Sequence, residues 1–447
     1  MKIMVMPIGF EIGGSEINAI DLAAAVQELG HEVVVIGRPG PLGERARSAG
    51  LRVISVPITR RGRPNPLNSR AIGRAIRREK PDLVHVYEAL SCIEAFFGVR
   101  LWRSAKVPLV ATLYGMNVDG FLPRAVPMIA GTRDVQVELA ATRDPASVHL
   151  LDPPVDTRAN RPDDEAGRRQ RLAWGVGDDE ELVVIVSRLD VWMKIDSLMD
   201  AIDAVDILAS ERSVRLAVVG DGPARAALEY RAADVNRRHG RRVVDVVGAM
   251  VDPVPAYQAA DVVVGMGTSL LRGMATGKPA VLAGELGYVD LIEPSSIEPY
   301  LRQGFWGMGD GVRAASALAG LIADVFDRDT AGRRQLGEFG RAFVVERFGL
   351  PAAADQLIGM YEQVARWTPS RRRLVAELLR VPVAVVLHKV MDHLPGRRRG
   401  VKSLDAPSEL GDSYLSANAF IRRRDAVAKR STEAMPTHPH VLAARHG

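Results

Sequence analysis

Residues 182–222 constrain the fold of this chain more than any other stretch, because strand, helix and strand patterns follow one another there with little spacer. Residues 182–186 (LVVIV) are a continuous apolar run, rich in β-branched side chains and short enough for a strand buried on both faces. The run ends in Ser187-Arg188-Leu189-Asp190, with Lys194 close behind. From Ile195 the apolar residues return every three or four positions, at Leu198, Met199, Ile202, Val205 and Leu208, which predicts a helix with one apolar stripe. A second buried run, residues 215–219, stops at Gly220-Asp221-Gly222-Pro223. This order reads as a parallel α/β unit, and such folds bind anions where the carboxyl end of a strand meets a helix start. Arg188 and Lys194 stand at that place and are the candidate anion clamp, although spacing alone equally allows solvated surface charges.

The opening of the chain carries a similar pattern. Residues 2–7 predict a strand, residues 9–16 (GFEIGGSE) a loop, and the following helix runs up to Leu29 with Gly30 as its stop before a strand at 31–36. The loop does not supply G-x-G-x-x-G, which disfavours a nicotinamide or flavin site. Gly13 and Gly14 either let backbone approach a ligand or make a tight turn. Further strands are predicted at 53–57, 81–87 and 107–113, the last running into Tyr114-Gly115-Met116-Asn117. Past a charged, Pro-containing stretch at 158–179, the pattern continues through apolar runs at 243–248 and 262–264 to Gly265-Met266-Gly267. Thr268 or Ser269 is a candidate N-cap for a helix up to Thr276, and Gly277-Lys278-Pro279 precedes a strand at 280–283. That Gly-Lys-Pro is no P-loop, since Pro stands where a Ser or Thr must hold Mg²⁺.

Val186-Ser187-Arg188-Leu189, Lys194 with its helix, Val218 through Pro223, the Gly13-Gly14-Ser15-Glu16 loop and Pro81 through His85 together resemble the GT4 family of retaining, nucleotide-sugar-dependent glycosyltransferases, over residues 1–366. The resemblance implies the α/β GT-B fold, two Rossmann-like, doubly wound parallel-sheet domains around an inter-domain cleft. Residues 1–160 would form the acceptor domain, 161–179 a linker, 180–345 the donor domain and 346–366 a closing helix returning to the first domain. It also implies that Arg188 and Lys194 hold the donor diphosphate and carry catalysis. Gly13, Gly14, Gly220, Gly222, Gly265, Gly267, Thr268 and Arg272 would line the donor site, with Glu16 and Tyr114 on the acceptor or sugar side. No metal or cofactor is expected, the nucleotide-diphosphate sugar being a substrate; the acceptor stays open among lipid-linked, glycan and small-molecule classes.

The chain departs from the family in places. Ser187 and Ile195 stand where the family usually has Gly, and Tyr114 stands where it carries a His. A Tyr donates a hydrogen bond but is a poor base near neutral pH. Arg272 occupies the second position of the family's E-x₇-E pair, and Gly265-Met266-Gly267 lies where the first glutamate would be. An Arg cannot accept hydrogen bonds from a ribose, but it can add a third cation to a diphosphate. A GT-B-like protein that binds a sugar nucleotide, glycan or partner without catalysis is the competing reading these departures support.

Length and composition fit two domains with extra material: 447 residues exceed one core, and 47% are hydrophobic. A single cysteine, Cys92, forbids an intramolecular disulfide, fits a reducing cytoplasm and, among apolar neighbours, predicts an inert buried thiol. Neither a secretory leader nor a run of about 20 uncharged apolar residues occurs, so a cytoplasmic protein is expected, with or without attachment at the inner face of the membrane. The net charge of +5 is concentrated, since residues 371–402 hold nine Lys or Arg against Glu377 and Asp392. That excess of seven leaves the rest slightly acidic, and a nucleic-acid-coating protein is disfavoured. Within the segment Pro382 interrupts an alternation of basic and apolar residues, which predicts at best two short amphipathic helices outside the fold, serving either as a solvated extension that keeps the protein soluble or as a peripheral contact to an anionic membrane through 371–402. Residues 60–80 add eight basic residues against Glu79, and Arg60, Arg61 and Arg63 read as a loop able to meet an acidic acceptor or headgroups. Beyond Lys402 the polar composition predicts disorder, and His438, His440 and His446 have no metal spacing.

Overall fold

A computed structural model describes residues 1–392 except 8, 12, 60–62, 102–106, 116–117 and 192, with residues 391–392 as backbone alone. The first sheet contains β1 (Lys2–Met6), β2 (Glu32–Gly37), β3 (Arg52–Ser55), β4 (Leu83–Tyr87), β5 (Leu109–Leu113), β6 (Met128–Ala130) and β7 (Val148–Leu150). Its connecting helices are α1 (Gly14–Glu28), α2 (Leu42–Ser48), α3 (Pro66–Glu79), α4 (Ala89–Leu101) and α5 (Arg133–Ala140). The second unit begins with α6 (Asp164–Trp174), β8 (Glu181–Val186), α7 (Ile195–Leu208), β9 (Val214–Val219), α8 (Arg225–His239) and β10 (Val244–Gly248). It continues with α9 (Val254–Ala259), β11 (Val262–Gly265), α10 (Thr268–Ala275), β12 (Ala280–Ala283), β13 (Val289–Leu291), α11 (Ile297–Gln303), α12 (Ala315–Asp327) and α13 (Thr330–Phe348). Helices α14 (Leu350–Arg366) and α15 (Arg371–Asp392) follow.

The first sheet runs β3-β2-β1-β4-β5-β6-β7, every pair parallel. The second runs β10-β9-β8-β11-β12-β13, parallel up to the antiparallel β12–β13 edge. Both are doubly wound, as expected, because strands of continuous apolar residues must be covered on both faces and βαβ crossovers supply the cover. All six residues of β9 are buried, and its register against β8 sets Leu182 opposite Arg215 and Val186 opposite Val219. The stripe of α7 buries Ile195, Leu198, Ile202, Val205 and Leu208 beside Leu318, Ile322 and Val325 of α12. Each such side chain stabilises the fold by roughly 2 kcal/mol. In each sheet the direction of strand addition reverses once, between β1 and β4 and between β8 and β11, and the loops that part there leave a crevice at the carboxyl edge.

Within 161–179 the chain is largely helical, where its charge suggested a linker. Asp163 caps α6 by accepting from the Ala166 N–H, and Gly175 ends it in a left-handed turn. A Cβ on Gly167 would lie 2.4 Å from the Gln258 carbonyl, so the small residue is what lets α6 lie against α9. The two crossings between the units run side by side, with the Val155 N–H donating to the Phe348 carbonyl and the Leu350 N–H to that of Val155. From there α14 buries Leu350, Ala354, Leu357, Tyr361 and Val364 in the first domain's core.

Helix α15 corrects two expectations: it is continuous through Pro382, and it packs on the first domain. Val381 and Val385 are buried with Ile93 of α4 and Phe121, while Leu374 and Leu378 rest on the core beneath α3 and α4. Arg380 donates to the carbonyls of Gly120 and Leu122, and buried Glu377 accepts from Arg380 and from the Arg124 N–H. A proline inside a helix costs about 3 kcal/mol, which this packing on both sides of Pro382 outweighs.

Candidate active site

The loop 187–194 leaves β8 and the turn 265–267 leaves β11, so the second switch point brings Arg188 and the Gly-Met-Gly turn to one edge. The Arg188 side chain is 56% exposed, its guanidinium 3.6 Å from the Asp190 carboxylate. Its backbone is held far more firmly: the Ser187 and Leu189 N–H groups donate to the carbonyls of Val219 and Asp221, and the Ala224 N–H donates to that of Leu189. Gly220 and Gly222, with φ of 149° and 153°, make this possible. A Cβ on Gly220 would sit 1.8 Å from the Ser187 carbonyl oxygen, and one on Gly222 2.4 Å from that of Leu189. In this structure the two glycines therefore position the Arg188 loop. Lys194 is half-buried at the N-cap of α7, its carbonyl accepting from the Leu198 N–H and the Ser197 hydroxyl.

The N-cap of α10 is Gly267, not Thr268 or Ser269. Its φ of 62° with ψ of −145° is a glycine conformation, no atom approaches within 4 Å of where a Cβ would stand, and Thr268 is the first helical residue. Ser269 is occupied otherwise, donating to the Val186 carbonyl and lying 3.0 Å from the Tyr257 hydroxyl, so it ties α10 to the end of β8. Gly265 is similarly open, its nearest neighbour being the Ser269 hydroxyl at 3.8 Å from a built Cβ.

On the first domain, Gly13 caps α1 and Gly14 begins it with open space around its Cα. The Glu16 carboxylate folds back so that a Cβ on Gly13 would lie 2.2 Å from it, a carboxylate resting on the positive end of its own helix. Glu88, at the carboxyl end of β4, adopts φ of 67°. Its carboxylate accepts from the Ser15 hydroxyl at 3.0 Å and from the Tyr114 N–H at 3.2 Å, tying together the loops after β1, β4 and β5. Strained non-glycine backbone of this kind collects at functional sites. The sequence reading missed Glu88; its only local signal is an acid directly after a strand next to the switch point. At Tyr114, the sugar-side candidate, the hydroxyl is buried without a hydrogen-bond partner, and burial raises its pKa.

The domains meet at the same place. Arg272 reaches from α10 to Asp21 of α1, Nη2 to Oδ2 3.8 Å, both side chains only 13% exposed. Asp21 also accepts from Arg45 at 2.8 Å, yet burial raises its pKa in spite of both cations. Farther out, Arg302 of α11 bonds Asp134 of α5 at 3.0 Å. One basic residue falls elsewhere than expected: Arg63 is buried, forking onto Glu94 at 2.8–3.2 Å, and serves the core of the first domain; Arg60 and Arg61 lie outside the described residues. Cys92 is fully buried, and burial pushes its thiol up to about 12. Among the described residues no group of three or more His, Cys, Asp or Glu could hold a metal ion, and no helix is long and apolar enough to cross a membrane.

Two doubly wound domains that face each other through their switch points, with cations and two glycine-capped helix starts at the seam, define a two-domain α/β protein for an anionic ligand. Residues 13–174 match the model of the glycosyl transferase 4-like domain, and residues 180–324 that of glycosyl transferases group 1. A GDP-mannose-dependent alpha-mannosyltransferase of Mycobacterium tuberculosis is 26% identical over 79% of this chain and 94% of its own length. A D-inositol 3-phosphate glycosyltransferase of Xylanimonas cellulosilytica is 24% identical over 81% of this chain and 94% of its own. The crystal structure of a glycosyltransferase from Rickettsia africae superposes with a TM-score of 0.65 over 82% of this chain and 99% of that one, at 17% identity. The chain belongs to the GT4 family of glycosyltransferases, with the GT-B fold.

Proposed function

We propose that this protein transfers a sugar from a nucleoside-diphosphate sugar, bound against 187–194 and 265–272, to an acceptor held by the first domain, with retention at the anomeric carbon. The observation that carries the reading is Arg188, exposed on a loop whose backbone is locked, beside the glycine-capped start of α10. In the reaction the bond between the anomeric carbon and the diphosphate oxygen breaks as the acceptor oxygen bonds that carbon, the acceptor's hydroxyl proton passes to the departing diphosphate, and the barrier lies in charge gathering on the diphosphate. Fixed cations and helix N–H groups aimed at that charge lower the barrier. Arg188 and Lys194 take this role, Gly14 and Gly267 give backbone access, and Arg272 adds a third cation once it turns from Asp21. No metal is assigned to the charge.

The name of the mycobacterial relative makes GDP-mannose the first donor to test. The inositol phosphate in another relative's name supports a polar, anionic acceptor, and a lipid-linked one would agree with contact between 371–402 and an anionic membrane. A silent sugar-nucleotide binder is less favoured, since these relatives are named as transferases. Release of nucleoside diphosphate from a panel of nucleotide sugars, with and without EDTA, tests the reading. Turnover of at least one donor, unchanged by EDTA, is expected; tight binding of donor without any release would move the protein to the silent class.

A further inference from the structure

We propose that the outward face of α15 is a membrane-docking surface that seats apolar side chains in the interfacial region of an anionic bilayer, with α3 presenting arginines to the headgroup phosphates. The proposal deepens the reading of a membrane-borne acceptor and rests on it only for its purpose. Val375, Leu379, Val383, Val386, Leu387 and Val390 are between 51 and 71% exposed. Their spacing puts them on one side of the helix, over about 22 Å at 1.5 Å per residue. They are six of the eighteen exposed large hydrophobic side chains among the described residues, a concentration on one element that marks an interaction site. The face is not the product of a loosely held helix, because the opposite side is anchored through Val381, Val385, Arg380 and Glu377.

Charge selects the occupant. Arg371 and Arg372 are exposed at the start of the face and Lys389 stands near its end, while the one acid between them, Glu377, is buried against Arg380. Helix α3 covers the same side of the first sheet, since Ile72 and Ile76 share a core layer with Leu374 and Leu378 of α15. Its exposed positions include Arg70, Arg74, Arg77 and Arg78, which recur at helical spacing. An apolar band flanked by cations, with no exposed acid on it, is the pattern of a helix lying in the interface plane of an anionic membrane. A second copy fits worse, because laying two such faces antiparallel would set Arg371 and Arg372 against Lys389.

Sedimentation of the full chain with vesicles of phosphatidylcholine alone, or with about 30% phosphatidylglycerol, tests this. The protein should pellet with the anionic vesicles and keep part of its binding at about 0.5 M salt, where screening removes the purely ionic share. L379D/L387D, both at exposed positions, should melt like the wild type, release nucleoside diphosphate from a soluble donor as before, and bind vesicles about tenfold or more weakly. R70E/R74E should lose the preference for anionic lipid. Equal binding by L379D/L387D and wild type would overturn the apolar seat. So would a wild type that ignores vesicles, whether it elutes as a monomer or as a dimer that L379D/L387D dissolves. Loss of donor turnover in every variant and the wild type alike would instead fault the transferase reading.

Discussion

At Arg188 the side chain that is proposed to do the chemistry and the groups that aim it come from different parts of the chain. The guanidinium points outward with Asp190 beside it, while the backbone beneath is gripped by residues 219–224. Gly220→Ala leaves Arg188 in place but drives a methyl into the Ser187 carbonyl from a backbone conformation L-residues rarely adopt. It should cost about 1–3 kcal/mol of stability and lower donor turnover as well, as denaturant titration beside a turnover assay would reveal. Wild-type stability in that variant would mean the loop contact is not what fixes Arg188. The sequence made Arg188, Lys194, Gly13 and Gly14 legible because strand end, loop and helix start are contiguous. Asp21 and Glu88 were hidden because each acts through a partner that only topology delivers, Arg272 across the seam and Ser15 with Tyr114 beneath it. Arg63 was misread for the converse reason: counted as a charge in a basic run, it is half of a buried ion pair with Glu94.

Among elements, α14 is tied to the first sheet by a buried polar chain in which His85 of β4 meets the Tyr361 hydroxyl at Nδ1 and the Thr112 hydroxyl at Nε2, each at 2.7 Å. Burial holds the imidazole down to about 3, so it is neutral in the folded protein. A folded pKa below the unfolded value of 6.5 gives stability that is whole above pH 6.5 and declines as pH falls from 6.5 toward 3. Between pH 7 and 5 this one group should remove about 2 kcal/mol, and His85→Gln should flatten the decline by that amount in denaturant titrations. Equal slopes for the two proteins would mean His85 titrates normally. Packing between elements also overrides what local composition suggests. Charge made residues 161–179 read as a linker and Pro382 split the last helix on paper, but Gly167 lets α6 dock and packing on both sides of Pro382 keeps α15 whole.

For the whole molecule, the two switch points face each other and Arg272 with Asp21 forms an ion pair between the domains there. In the proposed cycle Arg272 exchanges this carboxylate for the donor diphosphate. Arg272→Glu would put a second carboxylate beside Asp21, and donor affinity should fall about tenfold or more by calorimetry. Asp21→Asn should raise it by removing the competitor; tighter donor binding by Arg272→Glu would contradict the exchange. A cleft built to receive the charge of a departing diphosphate must distinguish nucleoside diphosphate from the matching monophosphate, and calorimetry with the two nucleotides measures that difference. Wild type should bind the diphosphate about 10²-fold more tightly, and Arg188→Ala and Lys194→Ala should each lose most of that preference and about 10²-fold in turnover while melting as the wild type does. Equal affinity for the two nucleotides, or a preference that survives both substitutions, would contradict it.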